Sequence, residues 1–283
     1  MDDSLNIKSM NLYNNVDRIF NELNEIGKSD SDNLSIKDLT KFDQFHYHGT
    51  DAIDIAIDLL EINSNSKILD VGSGIGGPAR YIASKTGAKV TAIELQSDQN
   101  NLASNLTNRC GLATKVNHLC GDILDYDFKG QKFDAVVSWL TLYHIANHKI
   151  LLTKLNDLLN LNGFFYTEDI TSRVDLSDAE LKDIEKEIYG KHLPSFDKYI
   201  SNLEHNGFSV ISSEDMSNSW TEFTKTRIKT YNSEKDRNIK VHGKEVVESL
   251  DSFYNFVGKY FSNGKLGGIR IAAKKTLNIY KSS

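Results

Sequence analysis

Between residues 66 and 170 the chain alternates short apolar runs with amphipathic stretches. KILDVG, KVTAIEL, VNHLCGD, FDAVVSW and FFYTEDI have the length and β-branched content of strands. PARYIASKTG, SDQNNLASNLTNRCGL and HKILLTKLNDLLNLNG have helical spacing. Strands separated by helices cannot close as hairpins, so the alternation predicts a doubly wound, mostly parallel sheet covered on both faces. Pro78 falls in the first turn of a predicted helix, where its missing N–H costs nothing. Upstream, residues 9 to 27 place Leu12, Val16, Ile19, Phe20 and Leu23 on one helical face, and AIDIAIDLLEI follows a candidate cap at Thr50 or Asp51. Downstream come a charged helical stretch from Thr171 to Pro194, the helix LPSFDKYISNLEHNGF, the strand SVISSEDMS, helices near 220–231 and 243–262, and a last strand in KLGGIRIAAKK. The organisation expected is an N-terminal helical lid over 1–60 and a main domain over 61–283, with a helical cap inserted near 171–200.

The turn after the first strand, ILDVGSGIGGPARY, carries two overlapping patterns. Gly72, Gly74 and Gly77 spell the dinucleotide fingerprint G-x-G-x-x-G, whereas Asp70, Gly72, Gly74 and Gly76 spell D-x-G-x-G-x-G. Glycines at such a turn let the backbone approach a ligand closely. A carboxylate at Asp70 would repel a pyrophosphate but can organise an amino acid's ammonium, directly or through water. S-adenosylmethionine (AdoMet) carries that ammonium and no phosphate. Glu94 ends the second strand, where an acid accepts from a ribose diol, a role that fits either cofactor. Asp122 ends the third, where an acid can accept from the adenine amine. Three acids on successive strand ends favour AdoMet, with S-adenosylhomocysteine as product.

On these motifs, residues 66 to 170 resemble a class I AdoMet-dependent methyltransferase. LDVGSGIGGPARYIA is similar to the loop of small-molecule enzymes acting on sterols, sarcosine and dimethylglycine, or phosphoethanolamine. The stretch AIELQSDQN departs from the sterol signature, and GKLGGIRIAAKK and LPSFDKYISNLEHNGF look more like the sarcosine/dimethylglycine group. The resemblance implies a Rossmann-like methyltransferase fold, a seven-stranded sheet with the last strand antiparallel. It also implies AdoMet contacts at Asp70, Gly72, Gly74, Glu94, Leu95, Gln99, Asp122, Ile123 and Ser138.

Ligands of such sheets bind beyond the carboxyl ends of the strands. The fourth strand ends in Trp139, Tyr143 and His144, the fifth in Glu168 and Asp169. Methyl transfer needs in-line positioning, a dry site and, for a protonated acceptor, a base. His144 is the expected base, as in similar phosphobase and sarcosine-type enzymes; the bland alternative is a helix cap or cap packing. Those enzymes tend to carry Asp four residues earlier, where this chain has Leu140. An amine would then need Glu168, Asp169 or aromatic faces. In FDQFHYHG, His46, Tyr47 and His48 are expected to close over the ligands, with Tyr13 as a further lid residue. If that stretch is extended, His46 and His48 point to one side and could join His144 in a metal site, although the chemistry requires no metal.

A net charge of −6 and the lack of a basic stripe argue against a nucleic-acid substrate. No signal peptide and no membrane-spanning apolar run is seen, and Cys110 and Cys120 have neither zinc nor disulfide-framework spacing, so a cytoplasmic location is expected. The expected activity is methyl transfer from AdoMet to a small molecule, most naturally at nitrogen. O-methylation is the alternative, and a non-catalytic AdoMet-binding module is the other class. A homodimer is left open.

Overall fold

The seven strands are β1 (Lys67–Val71), β2 (Lys89–Glu94), β3 (Val116–Cys120), β4 (Phe133–Trp139), β5 (Leu159–Ser172), β6 (Phe208–Asp215) and β7 (Leu266–Lys275). They form one sheet in the order β3-β2-β1-β4-β5-β7-β6. Strands β1 to β5 pair in parallel, and β7 runs antiparallel to both β5 and β6. This is the expected Rossmann-like methyltransferase architecture. The computed structural model describes residue 7 and residues 10–276. Among the described residues no helix is long and apolar enough to cross a membrane.

Both faces of the sheet are covered. On one lie α3 (Gly49–Leu59) and α4 (Gly77–Thr86), which bury Ala52, Ile53, Ala56, Ile57, Ala79 and Ile82 against Val90, Ala135 and Val137. On the other lie α6 (His148–Leu158) and α8 (Phe196–His205), whose Leu151, Leu152, Leu155, Tyr199 and Leu203 join Leu69, Val136 and Phe165. Each of the leucines, isoleucines, valines and phenylalanine among them, fully withdrawn from water, contributes roughly 1.5–3 kcal/mol. The fold's helix α5 (Ser97–Arg109) follows β2.

Two groups of residues cover the carboxyl ends of the strands. The first is the N-terminal segment, with α1 (Arg18–Glu25) and α2 (Ile36–Leu39). Its Val16, Ile19, Leu23, Leu34 and Leu39 pack against Ile75, Leu102 and Leu106. A buried ion pair, Arg80 Nη2 to Asp43 Oδ2 at 2.9 Å, ties this segment to α4. The second group is α7 (Asp178–Ile188), α9 (Ser217–Ser233), α10 (Lys235–His242) and α11 (Lys244–Ser262). Ile184, Ile188, Trp220, Phe253, Val257 and Phe261 form its core together with Leu12, Tyr47 and Tyr143. Helical cover thus extends to residues 217–262, well beyond 171–200. Glu22 of α1 accepts from Arg237 and His242 of α10, closing the two groups on each other.

Several local expectations shift. The stretch read as one helix over 9–27 is a series of turns and then α1, because Asn14 and Asn15 favour turns over helix; residue 9 lies outside the described residues. Helix α3 starts earlier than a cap at Thr50 or Asp51 would allow, after His48 in a left-handed conformation (φ 59°). Strand β5 begins at Leu159, so LNLNG is strand and not helix tail; Leu159 pairs with Phe133 before a register shift that Asn162 (φ 60°) helps to absorb. Helix α10 has no apolar stripe in KDRNIKVH, which hides it from periodicity.

Candidate active site

At the point where strand order reverses, between β1 and β4, a cavity of about 450 Å³ opens beneath the helical cover. That volume suits a cofactor or small-molecule site, typically roughly 300–1,000 Å³. One half is made by the glycine turn and the ends of β1, β2 and β3. Gly72 has φ 69°, and a Cβ there would lie 2.0 Å from the Thr141 side chain, so both conformation and space demand glycine. Asp70 is buried, with Oδ2 unpartnered, and burial with the nearby Glu94 carboxylate pushes its carboxyl up to about 7. Glu94 accepts from the backbone N–H of Gly74 and of Gln96, each at 2.9 Å, one on each oxygen. Burial nonetheless raises its pKa. Gln99 is buried beside Gly74 with Oε1 unpartnered. Leu95, Asp122 and Ile123 line the same half; Asp122 Oδ1 also accepts from the Leu124 N–H at 2.8 Å.

This half fits AdoMet. It presents buried acceptors without donors at Asp70 and Gln99, and acids at three successive strand ends. An ammonium, a ribose diol and an adenine amine are all donors that such a surface lacks, and a pyrophosphate would meet three carboxylates there.

The other half is aromatic. Trp139, Tyr143 and His144 come from β4 and the short 3-10 turn Leu142–His144 that follows it, His46 and Tyr47 from the loop before α3, and Tyr13 from the N-terminal segment. The His144 ring lies 3.9 Å from that of Tyr143 and 6.1 Å, edge-on, from that of Tyr13. His144 Nδ1 is 3.0 Å from the carbonyl of Tyr189, the residue that ends α7 in a left-handed conformation (φ 53°). A carbonyl only accepts, so Nδ1 carries the proton and Nε2 a lone pair. Nε2 is buried and has no partner among the described residues. Burial pushes the His144 pKa down to about 4, so the ring is neutral near pH 7. The turn itself is braced by Asp169, which accepts the Tyr143 N–H at 3.3 Å.

Four residues expected here lie elsewhere. Ser138 is fully buried and donates to the Val71 carbonyl at 2.9 Å, stitching β4 to β1; strand alternation sends Trp139 to the cavity in its place. His48 bonds Ser219 Oγ at 2.9 Å outside the cavity, because its left-handed backbone breaks the alternation with His46. His46 itself lines the cavity but is bonded to the Gly49 carbonyl at 2.9 Å. Among the described residues no three His, Cys, Asp or Glu side chains are grouped to hold a metal ion. Glu168 Oε1 accepts from Arg270 Nε and the Tyr166 hydroxyl, both at 2.7 Å, with Oε2 buried and unpartnered among the described residues, and Asp169 is taken up by the Tyr199 hydroxyl and the Tyr143 N–H. Neither carboxylate lines the cavity, so neither can steer an amine there.

Other lining residues escaped the sequence reading: Phe45, Thr141, Tyr189, Lys191, Arg227 and Phe253. Thr141 sits between two residues already singled out and could have been found as the wall opposite Gly72. Arg227 and Phe253 lie on helices with no motif, and only the folded cap brings them in.

Residues 41–270 match the model of the mycolic acid cyclopropane synthetase family. Phosphoethanolamine N-methyltransferase of Plasmodium falciparum is 29% identical over 196 residues, covering 68% of this chain and 72% of that one. 24-methylenesterol C-methyltransferase 2 of Arabidopsis thaliana is 28% identical over 182 residues, 62% of this chain; the chain spans only 50% of that relative's length. The sterol enzymes are therefore as near in identity as the phosphobase enzyme, despite AIELQSDQN. A Haemonchus contortus phosphoethanolamine N-methyltransferase, solved with phosphomonomethylethanolamine and S-adenosylhomocysteine, shares the fold with a TM-score of 0.76 and 19% identity, over 94% of this chain and 58% of that one. With a family match over most of its length and a cavity half built for AdoMet, the chain belongs to the mycolic acid cyclopropane synthetase family and is an AdoMet-dependent methyltransferase.

Proposed function

We propose that the enzyme methylates a small molecule at nitrogen, with His144 as the base. AdoMet supplies an electrophilic methyl group on a sulfonium. Asp70 would hold its ammonium, Glu94 the ribose hydroxyls and Asp122 the adenine amine, with Gly72, Gly74, Leu95, Gln99 and Ile123 shaping the surface. An acceptor ammonium has no lone pair until it loses a proton. The single observation that carries the reading is the unpartnered, buried Nε2 of His144, whose lone pair is fixed by the Tyr189 carbonyl. That atom takes the proton while Trp139, Tyr143, Tyr13 and Tyr47 exclude water and present ring faces to a cationic amine. The names of the Plasmodium and Haemonchus relatives support nitrogen.

The sterol relatives' names make carbon the second reading, favoured by the aromatic wall and the lack, among the described residues, of a free carboxylate beside it. The N-terminal residues act as a lid. Since α3 packs flat on the sheet, the lid proper ends near His48 and not at residue 60. A panel of small amines, alcohols and isoprenoid alkenes, incubated with methyl-labelled AdoMet, decides. Label appearing on amines supports the proposal, and label confined to alcohols or alkenes overturns it.

A further inference from the structure

Two imidazoles sit beside the cavity without lining it. His148, the first residue of α6, and His192, in the segment between α7 and α8, stack with ring centroids 3.7 Å apart and planes 22° from parallel. Their chain neighbours Asn147 and Lys191 line the cavity, but neither histidine does. His148 is buried and His192 half-buried. Burial lowers both pKa values, that of His148 to about 4, so both rings are neutral near pH 7. A leucine at 148 would pack there more cheaply than an imidazole, whose polar atoms lose water on burial. Something must offset that cost.

The offset comes from the turn that carries His144. The Leu142 carbonyl accepts from the Ile145 N–H at 3.0 Å and from His148 Nε2 at 2.8 Å. A carbonyl only accepts, so the His148 proton is on Nε2. One residue on, the Tyr143 carbonyl accepts the N–H of Lys191 at 3.0 Å and that of His192 at 2.9 Å. The His148 ring also stands edge-on to Tyr199, 6.0 Å away, whose hydroxyl donates to Asp169, the acceptor of the Tyr143 N–H. Leu142 and Tyr143 are thus tied to the backbone at 191 and 192, just past the Tyr189 carbonyl that fixes the His144 tautomer. A turn free to shift against that segment would stretch the bond from His144 Nδ1 to Tyr189. Nε2 would then lose both its assured lone pair and its direction.

We propose that His148 is a positioning residue for methyl transfer: its stack on His192 orients the ring, and its bond to the Leu142 carbonyl holds the turn so that His144 keeps its lone pair on Nε2. This rests on His144 being the base. His148 itself takes no proton in the reaction.

Two substitutions separate the bond from the stack. His148→Phe keeps a flat ring on His192 and removes the donor. His148→Gln gives up the ring but brings an amide N–H to about the reach of Nε2. Enzyme saturated with S-adenosylhomocysteine, its histidines labelled with nitrogen-15, is read near pH 7 by long-range proton–nitrogen correlation, which distinguishes the two neutral tautomers. The wild type shows His144 protonated on Nδ1 alone, His148→Phe shows a mixture, and His148→Gln returns to the single form. Turnover is then measured with the best acceptor from the panel of amines, alcohols and alkenes. Misplacing a reacting group by about 1 Å can cost about a hundredfold, so His148→Phe lowers kcat about tenfold or more, with acceptor KM and S-adenosylhomocysteine affinity within about twofold. His148→Gln recovers most of that loss. A single Nδ1-protonated form in His148→Phe overturns the proposal, as does an unchanged kcat in that variant or a loss that His148→Gln repeats in full. Should His148→Phe fail to fold, His148→Asn, whose amide stops short of the carbonyl, takes its place with the same outcomes. Label confined to alkenes removes His144 as the base and leaves the tautomer readout standing, whereas an unmoved tautomer with label on amines removes only the role of His148.

Discussion

The two halves of the cavity are assembled by opposite strategies. The cofactor half draws on one contiguous turn and three strand ends, and backbone conformation does much of its work: Gly72 gives way to Thr141, and the Gly74 N–H holds Glu94. The acceptor half is gathered from the N-terminal segment, the loop before α3, the turn after β4, α7, α9 and α11, and side chains do most of the work, with the Tyr189 carbonyl orienting His144. A half built by local backbone tolerates little change and keeps one ligand. A half built from remote side chains can be rebuilt one residue at a time, which is how a common electrophile comes to serve many acceptors.

If the halves are separable, His144→Ala has the largest effect, and on one side alone. A positioned base contributes roughly 10²–10⁴-fold, so kcat falls by that factor while calorimetric AdoMet affinity holds. Loss of AdoMet binding in this variant would show that the halves are one unit.

Asp43→Ala strikes the seam between lid and glycine helix. It strands the fully buried Arg80 guanidinium, and breaking such a pair costs about 3–5 kcal/mol. Urea melts should show a loss of that size. A loss below about 1 kcal/mol, the level of surface pairs, would mean that the segment is not fastened there.

Asp70→Asn should weaken AdoMet binding about ten- to a hundredfold, the worth of a hydrogen bond to a charged group, and leave the acceptor KM alone. The wild type should show the same dependence through pH. With its folded, ligand-free pKa near 7, Asp70 carries a proton at pH 6 that must leave when the ammonium binds. Raising the pH therefore strengthens binding, by about tenfold per unit below pH 7, levelling off above. Flat affinity from pH 5.5 to 7.5 would remove Asp70 from the cofactor half.

For His144 the pKa shift has the opposite sign, while activity still rises with pH. Burial lowers its pKa, so the neutral base persists into acid, and the limb of kcat/KM that reports this base should rise near pH 4, below the ordinary value of about 6.5. A limb at 6.5 in the wild type, lost in His144→Ala, would show that the cavity is wetter than its burial implies. The smallest functional effect belongs to Glu168→Gln, which should lower stability by weakening the Arg270 pair and leave the acceptor KM within about twofold; a larger KM change would return Glu168 to the acceptor half.

The same contrast explains what could be read from the sequence. The sheet and the glycine turn were legible because period, turn chemistry and strand-end acids are local, whereas the reversed last strand followed only from the family resemblance. Glu168 was misassigned because its partner lies 102 residues on, in a strand whose antiparallel register sets Arg270 directly opposite. Asp169 was lost in the same way to Tyr199, on a helix behind the sheet. His48 failed for a local reason that propensity does not reveal, a non-glycine residue held left-handed at a helix start. Arg227 had no signal at all, since nothing in WTEFTKTRIK distinguishes a cavity cation from a solvated one.

The Asp43–Arg80 bond bears on how such enzymes can be recombined. The Asp43 carbonyl also sits where a Cβ on Gly77 would be, 2.2 Å away, so the lid touches the glycine helix through backbone as well as charge. A chimera that exchanges the first 48 residues for those of a relative would import a lid with no matching socket. One that cuts inside α9 or α11 leaves that joint intact and disturbs instead the contacts of Glu22 with Arg237 and His242. Acceptor preference should therefore be transplantable through the C-terminal cap if those partners of Glu22 are kept, while the N-terminal segment has to travel together with α4.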